Sequence, residues 1–245
     1  MTHPIRIGIG GWTYEPWRGS FYPSGLRQAD ELAFAARALS AIEVNGTYYG
    51  TQKPETFRRW AAETPEGFVF TLKAPRFATS RRVLAEGGES ISRFLASGLT
   101  ELGQKLGPIN WQLPPTKTFD PADMAAFLDL LPDRLDGLSL HHAIEARHES
   151  FACDGFTTLL RDRGIAVVQA ADSDYPVIDA ETAPFAYLRI MGTRADEPFG
   201  YSESDLDRWA TCLRDIARTR DVFLFVISGY KTINPAAAQA LIGRL

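Results

Sequence analysis

Residues 138–151 read LSLHHAIEARHESF and have the pattern of a buried strand that carries charges on one face. Successive side chains of a strand point to opposite faces, so Ala143, Glu145 and Arg147 share one face while the other face is mostly apolar. Unpaired buried charges are costly, and this strand therefore needs a polar cavity or charged partners beside it. We expect those partners on other strands of the same sheet.

The rest of the chain repeats this kind of strand in alternation with helices. The predicted strands are 5–11, 41–45, 68–74, 109–113, one within 138–151, 165–171, 185–190 and 222–227. Regular alternation indicates parallel βαβ units, and 245 residues suit an eight-fold barrel. We predict a single α/β domain over residues 1–245, a TIM (β/α)8-type barrel. A doubly wound open sheet is the alternative, but GIGGW after the first strand matches its glycine fingerprint only partly.

Two details of the helices are also predicted. Apolar residues at helical spacing indicate one long amphipathic helix over 91–106. Between strands six and seven, Pro176 and Pro184 interrupt a segment without helical periodicity, so the helix expected there is missing or vestigial.

Composition excludes several classes of protein. The net charge of −4 argues against a protein that mainly coats nucleic acid, although Lys73, Arg76, Arg81 and Arg82 form one basic patch. Two distant cysteines suggest neither a disulfide framework nor a zinc site. No apolar run approaches the length of a membrane span or of a signal peptide, and we expect a cytoplasmic protein without membrane contact.

Polar residues gather at the last turns of the predicted strands. Their side chains lie on the strand face opposite to the apolar face. In a barrel this polar face points inward, and the carboxyl ends of the strands meet at one mouth. These inward residues are Glu43 and Asn45, Thr71 and Lys73, Asn110 and Gln112, Glu145 and Arg147, and Tyr187 and Arg189, with Asp172 just past strand six. Barrel interiors are normally apolar, so this set predicts a functional site; a buried salt-bridge network is the alternative.

The chain resembles the DUF72 (YecE-like) family in a series of short motifs that together cover nearly all of it. They are GxxGWxY from Gly8 to Tyr14 with Trp17 and FYP, then EVNGTYY, QLPP from Gln112, EARHESF from Glu145 and YLRIMG from Tyr187. The resemblance implies a TIM barrel and names no reaction. It also marks two departures: Thr79 and Ser80 stand where relatives usually have Thr-His, and Ile227 and Ser228 stand where they usually have Asn-Asn.

The residues predicted to act chemically are Glu43, Glu145 and Lys73. Either carboxylate is a candidate general base or an orienting ion-pair partner. Lys73 is a candidate electrophile, Schiff-base amine or ion-pair partner, with the ion pair favoured. Arg147 and Arg189 offer donor forks suited to carboxylate or phosphate, and with Lys73 they exceed the carboxylates by one charge. This surplus predicts a small anionic ligand.

Other residues are expected to contact that ligand. Tyr14, Trp17 and Tyr48 lie on loops of the same mouth and can stack on a sugar or base, or simply pack. The full set of predicted substrate-binding residues is Tyr14, Trp17, Asn45, Tyr48, Gln112, Arg147, Asp172 and Arg189. The side-chain types that could bind a metal are those of Glu43, Glu145, Asp172 and His148. The cations crowded around them make a metal unfavourable, and we expect no metal and no other cofactor.

Three functions remain open on this basis. The first is an enzyme that uses acid/base chemistry on a small anionic substrate, which is phosphorylated, carboxylated or sugar-like. The second is a nucleic-acid or nucleotide-binding or processing protein that uses the basic patch. The third is a non-catalytic binding barrel. The oligomeric state is not indicated by the sequence.

Overall fold

Eight parallel strands form a closed barrel in the computed structural model, which describes residues 2–245. The strands are β1 (Ile5–Gly10), β2 (Ala41–Val44), β3 (Val69–Lys73), β4 (Leu106–Gln112), β5 (His142–Glu145), β6 (Ala166–Ala171), β7 (Phe185–Ile190) and β8 (Asp221–Val226). Each strand pairs with its neighbours in sequence, and β1 pairs with β8 to close the ring. The predicted TIM barrel is confirmed.

Helices follow most of the strands and cover their apolar faces. They are α1 (Glu31–Ala38), α2 (Gly46–Tyr49), α3 (Pro54–Ala62), α4 (Arg76–Thr79), α5 (Gly88–Leu95), α6 (Pro121–Leu128), α7 (Asp154–Arg161), α8 (Glu203–Ile216) and α9 (Asn234–Ile242). Asp120 caps α6, where its side chain accepts hydrogen bonds from the backbone N–H groups of Ala122 and Asp123. No helix lies between β6 and β7, as predicted.

The long helix predicted over 91–106 is wrong, because the chain breaks at two glycines. α5 ends at Leu95, and a 3-10 segment, Leu99–Lys105, follows it. Gly98 adopts a φ of +89°, and a Cβ there would lie 2.7 Å from Pro54. Gly103 has a φ of +55° and a ψ of −131°. A side chain at Gly98 would therefore push the turn away from α3.

The fifth strand begins later than its apolar pattern suggested. Leu138–Ser139 pairs antiparallel with Arg134–Leu135 in a small hairpin outside the barrel. Asp136 and Gly137 form its turn with φ values of +48° and +84°, which is the requirement of a two-residue type I′ hairpin turn. The barrel strand itself starts at His142, and its register still directs Ala143 and Glu145 inward.

The barrel interior changes character from one end to the other. Toward the N-terminal ends of the strands it is packed by apolar side chains such as Val69, Phe185 and Phe223. Toward the C-terminal ends the inward positions carry polar and charged groups. Strand pairing sets two of them, Gln112 and Glu145, opposite each other. None of the helices within residues 2–245 has the length and apolar character needed to cross a bilayer.

Candidate functional site

Four charged side chains are buried where the barrel strands end. Glu43 on β2 and Glu145 on β5 are 0% exposed, Arg189 on β7 is 4% exposed, and Lys73 on β3 is 7% exposed. All four come from the inward faces predicted from the sequence. Charges this deeply buried must be compensated by partners, so their contacts decide what each can do.

Arg189 joins the two carboxylates. Its Nη2 donates to Oε1 of Glu43 at 2.9 Å, and its Nη1 donates to Oε2 of Glu145 at 2.6 Å. Burial alone would lower the pKa of Arg189, but Glu145 and Glu43 outweigh it and the pKa is raised. The guanidinium is therefore permanently charged and bridges the two carboxylates.

The remaining carboxylate oxygens are also bonded. Oε1 of Glu145 accepts from Nε of Arg147 at 2.7 Å, and Oε2 also accepts from Nδ2 of Asn110 at 3.1 Å. Burial by itself would raise the pKa of Glu145, but Arg189 and Arg147 lower it. Oε2 of Glu43 accepts from the hydroxyl of Tyr187 at 2.8 Å, and burial and Glu43 raise the pKa of this hydroxyl so that it stays protonated. Both oxygens of each carboxylate thus accept at least one hydrogen bond, and both residues are 0% exposed.

Lys73 contrasts with Arg189, although both were expected to frame an anion site. Within residues 2–245, Nζ of Lys73 makes no hydrogen bond, and no carboxylate lies within 4.0 Å of it. It sits 4.3 Å from the ring centroid of Tyr48 instead. Burial first, and then the nearby Arg189, lower the pKa of Lys73 to about 8. The favoured expectation that Lys73 is an ion-pair partner is therefore wrong.

Among residues 2–245, Lys231 is a second lysine at the mouth whose ammonium forms no ion pair, and the sequence did not single it out. It begins a 3-10 turn after β8, and its Nζ lies 4.2 Å from the ring centroid of Tyr14 and 5.5 Å from that of Trp17. Burial lowers its pKa. Trp17 is itself buried, and its Nε1 donates to the carbonyl of Lys231 at 3.0 Å. Tyr14 and Trp17 thus support this lysine.

The four cations line one open cavity of about 360 Å³, within the usual size range of small-molecule sites, whereas Tyr14 and Trp17 are not part of its lining. Its lining includes Asn45, Tyr48, Lys73, Gln112, Arg147, Arg189, Ser228 and Lys231. A side cleft of about 470 Å³ continues from it toward Trp12 and Trp60. Arg147 is held at the rim by Oε1 of Gln112 at 3.0 Å and by the hydroxyl of Tyr175 at 3.1 Å.

Some predicted residues lie elsewhere. Asp172 is exposed, has a φ of +52° and packs beside Gly192, away from the cavity. His148 accepts a hydrogen bond from the backbone N–H of Ser150 and so caps a short turn. At the position of the second family departure, the buried side chain of Ile227 and the backbone of Ser228, with a φ of +56°, form part of the wall.

The cavity has a surplus of positive charge. Lys73, Arg147, Arg189 and Lys231 face two carboxylates, which leaves two positive formal charges uncompensated. Among residues 2–245, no three histidine, cysteine, aspartate or glutamate side chains are grouped in a way that would hold a metal ion. The donor set at the mouth therefore fits an anion better than a cation.

A parallel eight-stranded barrel with its charged groups at the C-terminal mouth belongs to the TIM-barrel class. Within that class, the sequence matches the family described as "Protein of unknown function DUF72" over residues 6–245, and the chain belongs to this family. The resemblance inferred from short motifs is confirmed.

Individual relatives extend this result. The chain is 29% identical over 164 residues to the UPF0759 protein YecE of Escherichia coli K12, a match that covers 66% of this chain and 55% of YecE. The match thus spans about half the length of that curated relative. A DUF72 family protein from Thermotoga maritima has a similar structure, with a TM-score of 0.78, 23% identity and 98% of both chains covered.

Enzymes share the barrel at lower similarity. Endonuclease IV from Thermus thermophilus has a TM-score of 0.55 and 14% identity, with 98% of this chain and 100% of that chain covered. Identity this low shows a common fold alone.

Proposed function

We propose that the mouth of the barrel binds and chemically converts a small phosphorylated substrate. The observation that carries this proposal is the pair of ammonium groups, Lys73 and Lys231, that face one cavity without a carboxylate partner. A phosphate monoester carries about 1.5 to 2 negative charges at pH 7, close to the uncompensated charge of the cavity. Its oxygens also accept the charge-assisted hydrogen bonds that lysine and arginine donate.

The arrangement of the cations supports a division of roles. Arg189 is fixed beneath the cavity by Glu43 and Glu145, and we propose that these three form a rigid charged floor. Arg147 lies at the rim, where its guanidinium is already oriented by Glu145. Lys73 and Lys231 are free to contact the phosphate or the reacting part of the substrate. Glu43 and Glu145 are each held by Arg189, so Lys73 is the group best placed to react with the substrate.

An enzyme is favoured over a silent binding barrel by the state of Lys73. An ammonium group that is buried without a counter-ion opposes folding, and groups with such a perturbed pKa cluster at functional sites. It also lies at the end of a barrel strand, on the face of the TIM barrel where catalytic residues are found. A barrel that served only as a scaffold would have no use for this unfavourable arrangement.

The test is anion binding by the wild-type protein and by Lys231→Met. We expect millimolar inorganic phosphate to raise the thermal midpoint of the wild type, and calorimetry to show about tenfold weaker binding for the variant, equal to about 1.4 kcal/mol. Arg37→Met, which removes a charge from the exposed side of α1, is the matched control and should bind like the wild type. If phosphate does not stabilise the wild type, the proposal fails.

A second candidate, binding of nucleic acid, is supported by the exposed segment after β3. Arg76 and Phe77 are exposed there, with the guanidinium 5.1 Å from the ring centroid, whereas Arg81 is tied to the carbonyl of Phe77. Contacts to several phosphates would make oligonucleotide binding fall steeply with salt. Oligonucleotide binding with such a slope, lost in Arg76→Met but kept in Lys231→Met, would favour this candidate.

A further inference from the structure

Lys73 differs from most of the other lysines of the chain in its surroundings. The sequence has five, at positions 53, 73, 105, 117 and 231. Lys105 donates to the backbone carbonyls of Ala61 and Thr64, and Lys117 forms an ion pair with Asp123. Lys73 is buried and faces the cavity, and its ammonium makes no hydrogen bond or ion pair within residues 2–245 and lies over the ring of Tyr48.

This environment raises the fraction of Lys73 that is present as the neutral amine above that of an exposed lysine. Desolvation and a neighbouring cation are the two effects that activate lysine as a nucleophile, and Lys73 experiences both, through its burial and through Arg189. With a pKa of about 8, roughly one tenth of the side chains are unprotonated at pH 7. The ring of Tyr48 stabilises the ammonium form, but by less than a buried carboxylate partner would.

Lys231 shares the cavity but is less suited to this role. It lies on a 3-10 turn after Ser228 and Gly229, which have φ values of +56° and +54°, whereas Lys73 is the last residue of a barrel strand. Burial is the one cause that lowers the pKa of Lys231. A nucleophile must be held in a fixed position, which strand β3 provides and the turn does not.

We propose that Lys73 forms a Schiff base with the carbonyl group of a small phosphorylated aldehyde or ketone. This inference rests on the proposed function. The phosphate would bind to Lys231 and Arg147, and this would bring the carbonyl carbon to Nζ of Lys73. Phosphorylated sugars with a free carbonyl are the chemical class that meets both requirements. The cavity of about 360 Å³ has room for a molecule of this size.

The step needs no oxidant, reductant or metal. The ammonium of Lys73 first loses a proton to cavity water. The nitrogen lone pair attacks the carbonyl carbon, the C=O π pair moves onto oxygen, and one N–H proton passes to that oxygen to give a carbinolamine. A proton then returns to the carbinolamine oxygen, the C–O bond breaks and one water leaves. The product is an iminium ion, so one positive charge on nitrogen is present before and after. The iminium makes the adjacent C–H or C–C bond easier to break.

The experiment is reductive trapping with sodium cyanoborohydride. Wild-type protein is incubated with glyceraldehyde 3-phosphate or dihydroxyacetone phosphate, and the adduct is located by intact mass and peptide mapping, which five lysines keep simple. We expect one adduct, on Lys73, that forms at least tenfold faster than with unphosphorylated glyceraldehyde. Lys73→Arg, which keeps the charge and removes the amine, should abolish it. Lys53→Arg, at an exposed lysine outside the cavity, should not.

The outcomes separate this inference from the proposed function. Phosphate binding without an adduct, or an adduct spread over several lysines, overturns the Schiff base and leaves the phosphate site standing. An adduct on Lys73 that forms equally fast with unphosphorylated glyceraldehyde, in a protein that phosphate does not stabilise, supports the nucleophile and overturns the proposed substrate class. Lys73→Met, which also lacks the amine, provides a second trapping-negative variant if Lys73→Arg does not fold.

Discussion

The two ends of the barrel differ in a way that cavity size does not reveal. The N-terminal end opens on the larger space, about 610 Å³ lined by groups such as Phe185, Phe223 and Arg6, against about 360 Å³ at the mouth. Only the mouth combines buried carboxylates, a doubly paired arginine and unpaired lysines in the part of the chain that the structure describes. Uncompensated charge therefore distinguishes the mouth from the other end of the barrel, and volume does not.

The largest expected effect comes from Arg189→Met. Removing the guanidinium leaves Glu43 and Glu145 buried beside each other without their shared partner, and breaking a buried pair in this way costs about 3 to 5 kcal/mol. We expect urea unfolding to show that loss. The sequence predicts a ligand-binding role for Arg189, and its two ion pairs give it a structural role as well.

Arg6→Met is the matched control at the other end of the barrel. Arg6 lines the N-terminal cavity and makes no side-chain hydrogen bond or ion pair to any residue from 2 to 245. Its loss should change the free energy of unfolding by no more than about 0.5 kcal/mol. Equal losses in the two variants would remove the distinction between the two ends.

A smaller effect of opposite sign is expected for Lys73→Met. The folded state lowers the pKa of Lys73 from 10.5 to about 8, so the charged side chain opposes folding at pH 7. Removing it should raise the free energy of unfolding by about 1 to 3 kcal/mol. Because the side chain of Lys73 binds more protons in the unfolded chain between pH 8 and 10.5, wild-type stability should rise more steeply with pH there than that of the variant. A destabilised variant would contradict this account.

The smallest effect concerns the acid limb of the pH profile. The folded state lowers the pKa of Glu145, so its stabilising contribution is complete above the unfolded pKa of about 4.5 and is lost as pH falls through the folded pKa. Urea midpoints of the wild type should therefore decline below about pH 4.5. Asp136→Asn, in the exposed hairpin turn, should leave this decline unchanged, whereas Glu145→Gln should make it shallower. Identical acid limbs in all three proteins would show that Glu145 is not ion-paired in solution.

Side-chain parity along the strands was enough to predict which residues point inward. Glu43, Glu145 and Arg189 lie at the mouth because a strand has a strict two-residue period that apolar residues reveal on the other face. The alternation of side chains along a strand does not predict the distance between side chains on different strands. Lys73 and Arg189 looked equivalent from the sequence, yet one has two carboxylate partners and the other has none.

The residues that sequence reasoning missed lie where no periodic pattern exists. Lys231 follows two residues with positive φ and belongs to a turn, so neither a helical nor a strand period directed attention to it. The late start of β5 had a usable signal, since Asp136 and Gly137 are a typical hairpin dipeptide. The break at Gly98 depends on contact with Pro54, which lies in a different helix, and local sequence does not encode such a contact.

The aromatic rings beneath the two mouth lysines have a consequence for rates. A ring holds an ammonium by about 0.5 to 2 kcal/mol, whereas separating a buried ion pair costs several times as much. Lys73 and Lys231 can therefore leave Tyr48 and Tyr14 for an arriving anion and return when it departs, with a small barrier in each direction. Association of the proposed anionic ligand should be limited by diffusion into the positive mouth, and its residence time should be set by its own contacts.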